Sequence, residues 1–163
     1  MKKAIAIFTI LSVLIFTGCK KGESVKIISN SFTALTKIKQ NGCEYNFKYK
    51  FSNCGDFEFI SVNQPVEIDF SFCDGVYTLK NSTIQTKVSE NQINNSPIFI
   101  VNNAINSSKN LEIMPDYNGN FTYYGVCDYG EYKLKLNEKG LPLELNLNNI
   151  GLTATFSEAK YDT

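Results

Sequence analysis

Thiols are the most reactive groups in this 163-residue chain, and the setting of each of its five cysteines decides what it can do. Cys43, Cys54, Cys73 and Cys127 contain no Cys-x-x-Cys pair, and the chain has no histidine, so neither a redox dithiol nor a Cys/His zinc set is in view. If residues 43 to 53 form one strand, Cys43 and Cys54 stand at its opposite ends, about 35 Å apart, and cannot pair. Cys54 and Cys73 would share one end of a meander but lie two strands apart, about 9.5 Å, beyond comfortable disulfide reach. Free thiols are therefore the favoured state, with Cys43 and Cys54 unpaired to each other and most of the four expected to stay free.

The carboxylates and hydroxyls offer less. Asp116-Tyr-Asn118-Gly-Asn120 begins like a calcium loop, but Phe121 takes the glycine position and Cys127 that of the closing glutamate, so a plain turn is expected. Glu67 and Asp69 share a strand face, which alternation assigns to solvent. A serine nucleophile needs an activating base, and without histidine none of the usual kind exists. There is no Gly-x-Ser-x-Gly, phosphate loop or dinucleotide fingerprint. No arginine is present to clamp phosphate or carboxylate bidentately. No catalytic residue, metal or cofactor is assigned, and the chain is expected not to be an enzyme.

The fifth cysteine stands apart. Met1-Lys2-Lys3 precedes an apolar stretch from Ala4 to Phe16, broken only by Thr9 and Ser12, and Thr17-Gly18-Cys19-Lys20-Lys21 follows. A basic end, a short apolar run and a small residue at a cleavage point make an export signal over 1–18, too short for a comfortable membrane span. Ending on Gly18-Cys19, it resembles a bacterial lipoprotein signal. The resemblance implies that Cys19 is lipidated and becomes the first residue of the mature chain, with residues 19–29 as its tether. Removing 18 residues from 163 leaves 145, enough for one domain with a real core. Of 16 lysines, Lys2 and Lys3 leave with the signal, so 14 face 16 acidic residues, a balance without the footprint of a nucleic-acid binder.

Alternation dominates what remains. From Cys43 to Phe51 every odd residue is apolar and every even one polar, the period of a strand with one dry face. The pattern returns over 66–72, 132–136, 141–147 and 152–156, and more weakly over 32–39, 57–62, 76–80, 83–88, 111–114 and 120–126. Turn signals at Asn53-Cys54-Gly55-Asp56, Asp74-Gly75, Asp128-Tyr129-Gly130 and Asn137–Gly140 force antiparallel neighbours. One stretch differs: Ser96-Pro97 predicts a helix start, with Ile98, Val101, Ala104 and Ile105 on one face and an end near Ser108. A lone helix between runs of strands favours a mainly β (α+β) fold, a single antiparallel curved sheet forming a half-open barrel with the helix covering its concave face. On that face the ladder Tyr45, Phe47, Tyr49, Phe51, Phe57, Phe59, Phe70 and Phe72 is the candidate apolar ligand surface. Ile98, Phe99, Val101 and Ile105 form the candidate lid, expected against Tyr45, Phe47, Phe70 and Phe72.

The later half reads Gly119-Asn-Phe-Thr-Tyr-Tyr-Gly125, Gly130-Glu-Tyr-Lys-Leu-Lys-Leu136, Gly140-Leu-Pro-Leu-Glu-Leu145 and Gly151-Leu-Thr-Ala-Thr-Phe156. In strand order and turn placement, from about Asn30 to Ala159, it resembles anchored lipoproteins of low-GC Gram-positive bacteria similar in fold to the outer-membrane lipoprotein carriers LolA and LolB. The resemblance implies an eleven-stranded half-barrel over residues 30–159, greasy on its concave face beneath a helical lid. The carrier's lid-holding sheet arginine has no counterpart here, so that gating is not carried over. Two functions fit: a membrane-anchored envelope lipoprotein that binds a lipid, lipoprotein or other apolar ligand, or a non-enzymatic interaction or regulatory module with a filled core. A monomer anchored at the extracytoplasmic face of the cell membrane is expected in either.

Overall fold

Strand alternation and short turns build the molecule hairpin by hairpin. The computed structural model describes residues 22–63, 67–81 and 83–162. Cys19 and the export signal over 1–18 lie outside them, as does Val66. The strands are β1 (Val25–Lys26), β2 (Phe32–Gln40), β3 (Cys43–Phe51), β4 (Phe57–Ser61), β5 (Asp69–Cys73), β6 (Val76–Asn81) and β7 (Ile84–Val88). Helices α1 (Glu90–Ile93) and α2 (Pro97–Ser108) follow, then β8 (Glu112–Ile113), β9 (Phe121–Cys127), β10 (Gly130–Leu136), β11 (Pro142–Leu147) and β12 (Leu152–Tyr161). Ten strands form one antiparallel sheet in the order β7-β6-β5-β4-β3-β2-β12-β11-β10-β9, while β1 and β8 make a separate pair. The sheet is open, with β7 and β9 as its edges, and α2 lies against β9 and β2. The expected fold class is what forms, with ten strands in the large sheet.

Side-chain period does the sorting. Phe32, Ala34, Thr36 and Ile38 of β2, and Leu152, Ala154 and Phe156 of β12, all face inward and are buried. The outer face carries cross-strand ion pairs, Lys50–Glu58 at 2.6 Å and Lys135–Glu144 at 2.9 Å, both half-exposed and therefore worth little to stability. Asn41-Gly42, both at positive φ, make the tight turn between β2 and β3. That geometry matches the strand twist, and asparagine and glycine tolerate it best.

Three details depart from the sequence pattern. The stretch expected as tether over 19–29 is already part of the fold from Val25, because β1 pairs with β8 and Ile27 and Ile28 are completely buried. The strand expected over 66–72 starts only at Asp69, leaving Ile68 exposed. Leu143, on the apolar side of the alternation, is 44% exposed, since a register shift between Lys135 and Leu136 against β11 turns it outward. No helix among the described residues is long and apolar enough to cross a membrane.

Candidate functional site

The aromatic ladder assembles as expected, strand by strand. Register places Phe32, Phe51, Phe57, Phe72 and Tyr77 on one cross-strand row, with Tyr49, Phe59 and Phe70 on the next. Such neighbours stand within ring contact. Tyr49 stacks on Phe59 at 4.2 Å, Phe47 meets Phe59 edge-on at 5.6 Å, and Phe72 lies 4.5 Å from Tyr77. Phe47, Tyr49, Phe51, Phe57, Phe59 and Phe70 are buried, while Tyr45 and Phe72 are half-buried at the margin.

Helix α2 seals them. Ser96 caps it, accepting from the Phe99 amide at 3.3 Å, and Pro97 takes the first turn. Of the lid residues read from sequence, Phe99, Val101 and Ile105 are buried and Ile98 is half-buried against the core. Ala104 of the predicted face is buried with them, and Ile100, Asn102 and Ser108 are buried too, so the covered face is wider than the predicted stripe. The Phe99 ring meets Tyr77 at 5.8 Å, rather than any of the four residues expected as its neighbours.

Polar side chains register the helix on the sheet, and these the sequence reading missed. The Tyr49 hydroxyl donates to Asn102 Oδ1 at 2.8 Å in a fully buried setting. Tyr132 Oη and Ser107 Oγ are hydrogen-bonded to each other at 2.9 Å. Asn103 Nδ2 donates to Asp128 Oδ2 at 2.8 Å at the margin. Two signals were available: Asn102 stands among apolar residues on the lid face, and Tyr49 is a tyrosine among phenylalanines, whose buried hydroxyl requires a partner. Burial pushes the Tyr49 phenol well above its ordinary pKa, and burial likewise raises Tyr132, with the Ser107 hydrogen bond opposing. Gly125, paired with Tyr132, leaves room for that ring, since a Cβ there would come within 2.5 Å of it.

Among the described residues one buried side-chain polar atom is unsatisfied. Thr36 Oγ1, on the inner face between Phe47 and Phe156, is buried without a partner, a condition that costs about 1–3 kcal/mol.

The other candidate chemistry is quiet. Cys43, Cys54, Cys73 and Cys127 are all free. Cys73 Sγ lies 3.7 Å from carboxylate oxygens of both Asp74 and Asp56, at a hairpin end open to solvent. Those carboxylates, Asp74 first, push the Cys73 thiol up, which keeps it protonated and a poor nucleophile. Burial raises Cys127. The Asp116 carboxylate accepts from the amides of Asn118 and Asn120, each at 2.9 Å, and so closes a turn of its own. The Asn120 amide is the main cause that lowers its pKa. One cleft among the described residues, of about 670 Å³, opens at strand ends among Gly119, Asn120, Leu136, Lys139 and Lys160, away from the lid.

Fold and site together define an open antiparallel half-barrel whose aromatic inner face is closed by one helix. A comparison with models of known protein families and with curated proteins finds no match.

Proposed function

We propose that the chain is a membrane-anchored envelope lipoprotein, related in fold to the LolA and LolB carriers, that takes a lipid or another apolar ligand onto its aromatic inner face when α2 moves aside. The observation that carries this reading is the Tyr49–Asn102 bond at the centre of the lid interface. A buried hydrogen bond contributes only about 0.5–1.5 kcal/mol net, yet it fixes one position of the helix. Aliphatic packing would hold the helix without that selectivity. The open edges β7 and β9 leave the sheet free to widen. Thr36 supports the same reading, because its hydroxyl offers a hydrogen bond to the carbonyl or carboxylate of a ligand lying along the rings.

Cys19 supplies the anchor: two acyl chains hold a protein on a bilayer where one holds it marginally. Cys19→Ser should release the protein from membranes, and metabolic labelling with a fatty-acid analogue should mark the natural chain alone. The ligand reading is tested by native mass spectrometry after gentle extraction, which should show a co-purifying lipid.

The second reading is the interaction module with a filled core. It is favoured by the burial of the ladder, in which Tyr49 and Phe59 have no exposed surface. An extracted protein with no lipid and no affinity for one would select it.

A further inference from the structure

The way the tether meets the fold sets which end of the molecule faces the bilayer. β1 is fixed by its pairing with β8, Ile27 donates to the Leu111 carbonyl at 2.8 Å, and Ile28 donates to that of Gly140 at 3.0 Å. Gly22 touches Pro115, since a Cβ on it would lie 2.3 Å from Pro115 Cγ. Cys19 is three residues before Gly22, so full extension allows it about 10 Å. Any bilayer holding Cys19 must therefore lie close to Pro115.

The chain around Pro115 suits such a surface. Met114 is 50% exposed, and Tyr117, at the tip of the Asp116–Asn120 turn, is 97% exposed. Tyrosine favours the headgroup level, where its ring and its hydroxyl are each accommodated. Lys139 and Lys160 line the neighbouring cleft and Lys20-Lys21 follow the anchor, with Asp116 and Glu138 offsetting part of that charge. Exposure alone does not choose this end, because Ile84, at the opposite end of the sheet, is 71% exposed. The tether chooses it.

Resting on the anchoring by Cys19 proposed above, we propose that Met114 and the Asp116–Asn120 turn form a membrane-contact surface, with the Tyr117 ring seated among the headgroups of a phospholipid bilayer. The segment that leaves α2 belongs to the same end, where Asn110 donates to the Ile27 carbonyl at 2.7 Å. The exit of the lid thus faces the bilayer.

The chain has no tryptophan, so single reporters are clean. Lipidated full-length Tyr117→Trp and Ile84→Trp proteins are reconstituted into phosphatidylcholine–phosphatidylglycerol vesicles whose acyl chains carry bromine near the headgroup. The expected result is loss of fluorescence for Tyr117→Trp and none for Ile84→Trp. Equal quenching, quenching of Ile84→Trp alone, or no quenching in protein that floats with the vesicles overturns the orientation and leaves the anchor standing. Protein that fails to float with the vesicles overturns the anchoring reading and this inference with it.

Discussion

The two halves of the sheet bury their inner faces with different chemistry. In β10 to β12 the core is mainly aliphatic, Leu134, Leu136, Leu145, Leu147, Leu152 and Ala154 with Tyr132 and Phe156 among them, whereas β3 to β6 present Phe47, Tyr49, Phe57, Phe59, Phe70 and Tyr77. The helix treats them differently too. Its backbone runs close along β9 at one edge, but over the aromatic half it makes contact through long side chains, Asn102 to Tyr49 and Phe99 to Tyr77. The lesson is mechanical: the β9 flank is where α2 is seated, and under the proposed function the aromatic flank is where it would lift.

The largest expected effects would break this contrast if they came out alike in function. Phe59→Ala should cost about 3–5 kcal/mol and Leu134→Ala about 2–5 kcal/mol, because each empties a fully buried site. Denaturant titration reads both. Only the first should change the binding of a fluorescent fatty acid, since Leu134 lies outside the aromatic face.

A smaller loss is expected at the latch. Tyr49→Phe keeps the ring and strands the buried Asn102 oxygen, at about 1–3 kcal/mol. It should also alter the alkaline limb of stability. The folded phenol sits well above its ordinary value of 10.0, so its contribution is complete below pH 10 and is lost as pH rises toward the folded pKa. Stability, read from unfolding through that range, should fall less steeply for Tyr49→Phe than for the natural protein, with the part due to Tyr132 and Tyr77 remaining.

Thr36→Val sharpens the comparison most finely. Removing the unpartnered hydroxyl should raise stability by about 1 kcal/mol and weaken a carboxyl-bearing probe. A stability gain with unchanged binding would remove Thr36 from the site while leaving the aromatic face in it.

What could be read in advance follows the range of the forces. Alternation from Cys43 to Phe51 and the Ser96-Pro97 start of α2 are local, and the strand and the helix from Pro97 to Ser108 formed where expected, with the dry face running from Phe47 to Phe51 while Cys43 at the strand's open end is exposed and Tyr45 half-buried. β1 escaped because two residues have no period and their partner β8 is far along the chain. Leu143 escaped because a bulge depends on the neighbouring strand. The Tyr49–Asn102 latch joins residues 53 apart, and only folding brings them together.

The central claim is that the lid covers a face able to hold an apolar ligand, and titration of the purified chain with a fluorescent fatty acid tests it most directly. The account predicts saturable binding by the natural protein and tighter binding by Tyr49→Phe, whose lid is released at less expense. Two folded proteins with no saturable binding would contradict it and leave the molecule as an anchored interaction module with a permanent core.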